Sequence, residues 1–219
     1  MISKNIIRGE TDVFQALSVF STTREELIDE VIKNTLAARL GCLTIDPANA
    51  KGITSYIYGT RHLRKLYLAK GWHKSQYKNI ELVTNPNNKL QLTYQNVDIA
   101  ANSFREPRSI SRKGDGSAQL IEAAQGNLFR DEQPSITLPS NKDSEKLINL
   151  LWYLCVSYDE DRVTAELSLP KMVKNGNFYG FHKRIFLIEK ADDIGVDNIS
   201  KIKNNSEKFE IEPEIKRKK

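Results

Sequence analysis

Between Pro47 and Ile80 the chain has no Asp or Glu, yet it carries Lys51, Arg61, Arg64, Lys65, Lys70, Lys74 and Lys78, with His62 and His73. Interleaved with these cations are Tyr56, Tyr58, Tyr67, Trp72 and Tyr77. Soluble surfaces normally mix both signs of charge. A one-sign block with rings that can stack suits a polyanion, with Lys and Arg taking phosphates by counterion release and exposed rings taking bases. A second basic stretch follows at Arg105, Arg108, Arg112 and Lys113, just before Gly114-Asp115-Gly116-Ser117. Glycines opening a helix beside a lysine suggest backbone N–H groups for a phosphate. The lysine precedes the glycines and no Gly-Lys-Ser follows, so this is not a P-loop. Lys51, Arg61, His62, Arg64, Lys65, Lys70, Trp72, His73, Lys74, Lys78, Arg105, Arg108, Arg112 and Lys113 are therefore the expected nucleic-acid-binding residues.

One hydrolytic constellation is conceivable. Asp98 closes an apparent strand, Glu166 lies on a later one, and Lys171 follows it. Two carboxylates and a lysine around Mg²⁺ would suit phosphodiester hydrolysis. The usual Glu-x-Lys of restriction-type nucleases is absent at that strand, because Glu166 is followed by Leu167 and Ser168. The three histidines include no pair at helical spacing, so no zinc site is expected. Cys42 and Cys155 lie far apart and outside any Cys-x-x-Cys spacing, which suits two reduced core thiols and a cytoplasmic protein.

The elements that must position these residues follow from periodicity. Thr23 with Glu26 forms a capping-box signature ahead of a helix to about Leu40, whose stripe includes Leu27, Ile28, Val31 and Ile32. A helix around Asp12–Phe20 precedes it. A third runs from about Asn49 to Ala69, with Ile53, Tyr56, Ile57, Leu63, Leu66 and Tyr67 on one face and Lys51, Arg61, His62 and Lys65 on the other. Residues 79–84 and 89–94 alternate with period two around Asn85-Pro86-Asn87-Asn88, a β-hairpin. In outline, a basic helix, a Trp72-bearing turn and a two-stranded ribbon form a helix-plus-wing device for a nucleic-acid groove. A helix is expected from Ser117 to Gln125, and another from Ser140 or Asn141 to about Val156, where part of 151–158 also fits a strand. Asn175-Gly176 joins two further alternating segments, 162–169 and 178–189, in a hairpin.

The expected fold class is α+β: N-terminal helices, a central β-hairpin, and a C-terminal helix and β-hairpin around one core. Residues 1–190 are expected to form one domain, and 191–219 a flexible charged extension or a segment that orders only on a protein partner. No run approaches the ~18 apolar residues of a membrane span, and the first residues lack a signal-peptide pattern, so no membrane partner is expected. The formal charge of +5 is concentrated, since residues 47–113 hold twelve Lys/Arg against three Asp/Glu. The balancing alternative is that Glu145 or Asp159-Glu160-Asp161 folds against this third and neutralises it. The functional expectation is a nucleic-acid-binding protein, DNA favoured, such as a bacterial or phage DNA-processing factor. Its alternatives are a subunit or inhibitor meeting an acidic protein, and a metal-dependent nuclease that would need Mg²⁺.

Overall fold

The computed structural model describes residues 5–88, 90–126, 150–159 and 162–189, with side chains up to Glu122 in the helix that ends at Gly126. The expected extension at 191–219 and the stretch 141–149 lie outside the described residues.

The helices form where amphipathic spacing and caps agree. α1 (Glu10–Ser18) buries Val13 and Leu17. The Thr23 capping box is present, with Thr23 Oγ1 accepting from the Glu26 N–H and Glu26 Oε2 from the Thr23 N–H. It opens α2 (Arg24–Glu26), which continues without a break through a π-helical segment (Leu27–Lys33) into α3 (Asn34–Leu40). The π turns keep Leu27, Ile28, Val31 and Ile32 all buried. α4 (Ala50–Ala69) is the basic helix.

The strands form one mixed seven-stranded sheet, in the order β1-β7-β6-β5-β4-β3-β2. They are β1 (Ile6–Ile7), β2 (His73–Tyr77), β3 (Ile80–Thr84), β4 (Gln91–Asn96), β5 (Leu151–Asp159), β6 (Arg162–Lys174) and β7 (Asn177–Ile188). Both hairpins expected from Asn-rich turns are present, β3–β4 and β6–β7. The second turns through Asn175 and Gly176, both at positive φ, as a tight primed turn requires. β4 and β5 run parallel, so the chain between them must cross over, and α5 (Asp115–Gly126) lies on that crossover.

Of the two readings of 151–158 the strand holds, and the helix expected to run to Val156 is corrected: Leu151–Asp159 is a strand. Trp152, Leu154 and Val156 enter the larger core beneath α1–α4, while Leu151, Tyr153 and Cys155 enter a smaller core with Ile121 of α5 and Phe178. A strand buried on both faces reads as a continuous apolar run, without alternation. The Trp72 turn is likewise corrected, since it leads into β2, an additional edge strand paired with β3 through Lys78-Asn79. The sheet thus has α1–α4 on one face, and α5 with the 97–114 segment on the other. The α+β class holds.

Candidate nucleic-acid interface

α4 settles on the sheet through Gly59. A Cβ there would stand 2.5 Å from the Tyr94 ring, so only glycine lets the helix approach this closely. That contact, with Leu63 and Tyr67 buried, turns the opposite side of α4 outward. Lys51, Arg61 and Lys65 are exposed along it, at helical spacing of one stripe. The Arg61 guanidinium lies over the Tyr58 ring at 4.4 Å. Lys74 is exposed on β2 and pairs in register with Val83, which packs in the helix-side core. Side chains of paired residues share a face, so Lys74 projects on the side of α4. Among the described residues, Lys51, Arg61, Lys65 and Lys74 have no carboxylate partner.

The other expected contact residues divide. Arg64 is half-buried and pairs with Glu81, also donating to the Ser75 carbonyl. Lys70 Nζ bonds both oxygens of Glu26, at 2.8 and 2.9 Å. That bond holds the Glu26 carboxyl below its ordinary pKa, aided by its bonds from Thr23 and Thr22. Trp72 is buried, tilted against Tyr67 with ring centroids 4.5 Å apart, and so forms core. His62 stacks on Tyr58, and burial, with Lys65 and Arg61 nearby, holds its pKa below the usual value. It is neutral near pH 7 and adds no charge to the stripe. His73 and Lys78 are exposed on and beside β2.

The second basic stretch is not a uniform patch. Arg105 pairs with Asp98 at 2.7 Å, whereas Arg108 and Arg112 are exposed. Lys113 turns inward on the α5 side. Its Nζ donates to Gln95 Oε1 and lies 4.7 and 5.1 Å from the Tyr153 and Phe178 ring centroids. Burial lowers its pKa to about 8. The sequence marked Lys113 as a contact residue but not this cage, because Tyr153 comes from β5, whose place beside the β6–β7 hairpin was not legible.

The carboxylates are structural anchors. Asp98 accepts from Arg105 and from the N–H groups of Ile99 and Arg108. Glu166 is fully buried. It accepts from Arg184 Nε at 2.8 Å and Nη2 at 2.6 Å, from the Ala101 N–H at 2.6 Å, and from Ser168 Oγ. Arg184, whose role the sequence reading missed, also donates to the Asn102 carbonyl, so the pair fastens the 97–106 segment to the sheet. Lys171 is exposed five residues further along β6, about 16 Å away at strand rise, so the three expected catalytic residues do not converge. Among the described residues, no group of three or more His, Cys, Asp or Glu could hold a metal ion. No described helix is long and apolar enough to cross a membrane. Compared with known proteins, the chain matches no family model, no curated protein and no solved structure.

Proposed function

We propose that the protein binds nucleic acid, duplex DNA foremost, through the outward stripe of α4 and the adjoining edge strand β2. The observation that carries this reading is that Lys51, Arg61, Lys65 and Lys74 stand exposed on one side of the sheet with no carboxylate partner among the described residues. Unpaired cations that are free to move onto phosphates release counterions, the main sequence-independent source of affinity. Glu81 and Glu26 are committed to Arg64 and Lys70, and one further carboxylate, Glu30, lies near enough to act on His62. Base stacking by Trp72 is no part of the proposal, since its ring is buried.

The test is fluorescence anisotropy with duplex DNA, single-stranded DNA and RNA over a range of salt. The Arg61→Ala, Lys65→Ala, Lys74→Ala triple variant should bind less tightly. Its slope of log affinity against log salt should flatten by about 2 to 3, near one unit per lost phosphate contact. An unchanged affinity and slope overturns the reading. Tight binding to an acidic protein with none to nucleic acid would replace it with the interaction-module alternative.

A further inference from the structure

The carboxyl ends of β4 and β5, the β2–β3 turn, and the starts of α4 and α5 meet at one end of the sheet. Two adjoining cavities open there. One, of about 260 Å³, is walled by Lys78, Arg112 and Lys113 and by Gly114, Gly116 and Ser117 at the start of α5. The other, of about 370 Å³, is walled by Ile53, Ile110, Val156 and Tyr158, with the Arg39 guanidinium also on its lining, held over the Tyr158 ring at 5.3 Å. Tyr56, Gln95 and Ser111 line both, so the two form one cleft with a cationic half and an apolar half.

No carboxylate lines the cationic half, and Asp115, in the first turn of α5, is exposed and has no ion pair among the described residues. Lys113 Nζ donates to an amide oxygen, that of Gln95, and Lys78 Nζ to another, that of Gln119. Among the described residues, Lys78, Arg112 and Lys113 have no ion pair. A desolvated ammonium held only by an amide oxygen and two ring faces lacks the anion that would repay its burial. Gln95 Nε2 donates to the Asn96 carbonyl at 2.9 Å, an orientation that aims Oε1 at Lys113. The positive end of the α5 dipole lies on the same wall. A Cβ at Gly116 would stand 2.9 Å from Lys78 Cβ, so that helix end and the β2–β3 turn close on each other around the cations.

The apolar half leaves Ile53 50% and Ile110 68% exposed, beside the half-exposed Tyr56 ring. Exposed aliphatic groups and a tyrosine face around a cavity of this size suit a flat apolar body. We propose that the cleft binds a nucleoside monophosphate unit. Its phosphate lies among Lys78, Arg112 and Lys113, and its base lies against Tyr56, Ile53 and Ile110. Such a unit comes either free or as the phosphorylated end of a strand. The cleft is separate from the α4 stripe, so the proposal does not depend on the nucleic-acid reading.

Titration calorimetry of the full chain with AMP, adenosine and inorganic phosphate tests it. AMP should bind, with adenosine and phosphate each weaker by about tenfold or more, since each fills one half only. Arg112→Ala and Ile110→Asp, at exposed positions, should each weaken AMP by about tenfold. Lys113→Met should do so as well, with a thermal melt confirming that it folds. The Arg61→Ala, Lys65→Ala, Lys74→Ala variant should keep AMP affinity. In that variant, a preference for a 5′-phosphorylated oligonucleotide over its unphosphorylated twin assigns the site to strand ends. Equal oligonucleotide binding with AMP binding intact assigns it to free nucleotide. AMP binding no tighter than phosphate, or unchanged in Arg112→Ala, overturns the proposal.

Discussion

A carboxylate that accepts four hydrogen bonds in a buried site offers little to a metal ion. Glu166 is in that state, with Arg184 placed on it bidentately and Ala101 and Ser168 completing the shell. Its energetic role follows from what its removal would leave, which is a buried guanidinium without its anion and the Ala101 amide without its acceptor. Glu166→Ala should cost about 3 to 5 kcal/mol in urea unfolding, whereas Lys171→Ala, at an exposed strand position, should change stability by about 0.5 kcal/mol at most. Equal and small effects from both would show that Glu166 is not an anchor. The Glu166–Arg184 pair was beyond reach in the sequence for a physical reason. Counting back from the Asn175-Gly176 turn sets Glu166 opposite Ile185, but the register shift at Leu169/Pro170 sets it opposite Phe186, with Arg184 diagonal to it and opposite Ser168. A bulge moves side chains by one place, and Pro170 inside the strand marks the position of this one without fixing how far the register moves. The stripe residues Lys51, Arg61 and Lys65 were legible because helical spacing is fixed by geometry alone.

At the scale of elements, α4 is where packing and function are joined, since the face it buries decides which face it offers. Gly59 is the contact that decides it. Alanine is the better helix former by about 1 kcal/mol, so a gain would be expected on an isolated helix. Here the added methyl meets the Tyr94 ring at 2.5 Å, and Tyr94 is fully buried, with its hydroxyl bonded to that of Tyr158 at 2.9 Å. Gly59→Ala should therefore destabilise the fold by about 1 to 3 kcal/mol through overpacking. In a Tyr94→Leu background, where a smaller side chain leaves room, the same change should cost less, and unfolding of the four proteins as a double-mutant cycle measures the difference. Equal costs in both backgrounds would remove the Tyr94 contact as the cause. The helices and the two Asn-marked hairpins could be read from the chain because one face of each differs from the other. β5 could be read only as helix or strand alike, because both of its faces are buried, and β2 not at all, because nearly all of it is exposed. Alternation carries information only when a strand separates two environments.

At the scale of the whole molecule, the sheet grades from a doubly covered centre to an open edge. β5 lies at its middle, buried on both faces, while β2 has one neighbour, and four of its five residues are exposed. The strand order that produces this gradient depends on the β4-to-β5 crossover, which sequence periodicity does not encode. Backbone amides in β5 should exchange with solvent only when the whole sheet opens, and those of His73–Tyr77 through local fraying of the edge. The proposed nucleic-acid surface sits at this open edge, where binding can add order. Duplex DNA should therefore slow hydrogen exchange in His73–Tyr77 and along α4, and leave β1 and β7 at the opposite edge unchanged. AMP should instead slow exchange in the 110–117 segment, which walls the cleft. Since the two ligands draw on different residues, each pattern should persist in the variant that abolishes the other: AMP protection in the Arg61, Lys65, Lys74 triple, DNA protection in Arg112→Ala. DNA protection that spreads evenly over the sheet, or falls on β1 and β7, would displace the interface from α4 and β2. A single pattern common to both ligands would merge the two sites into one.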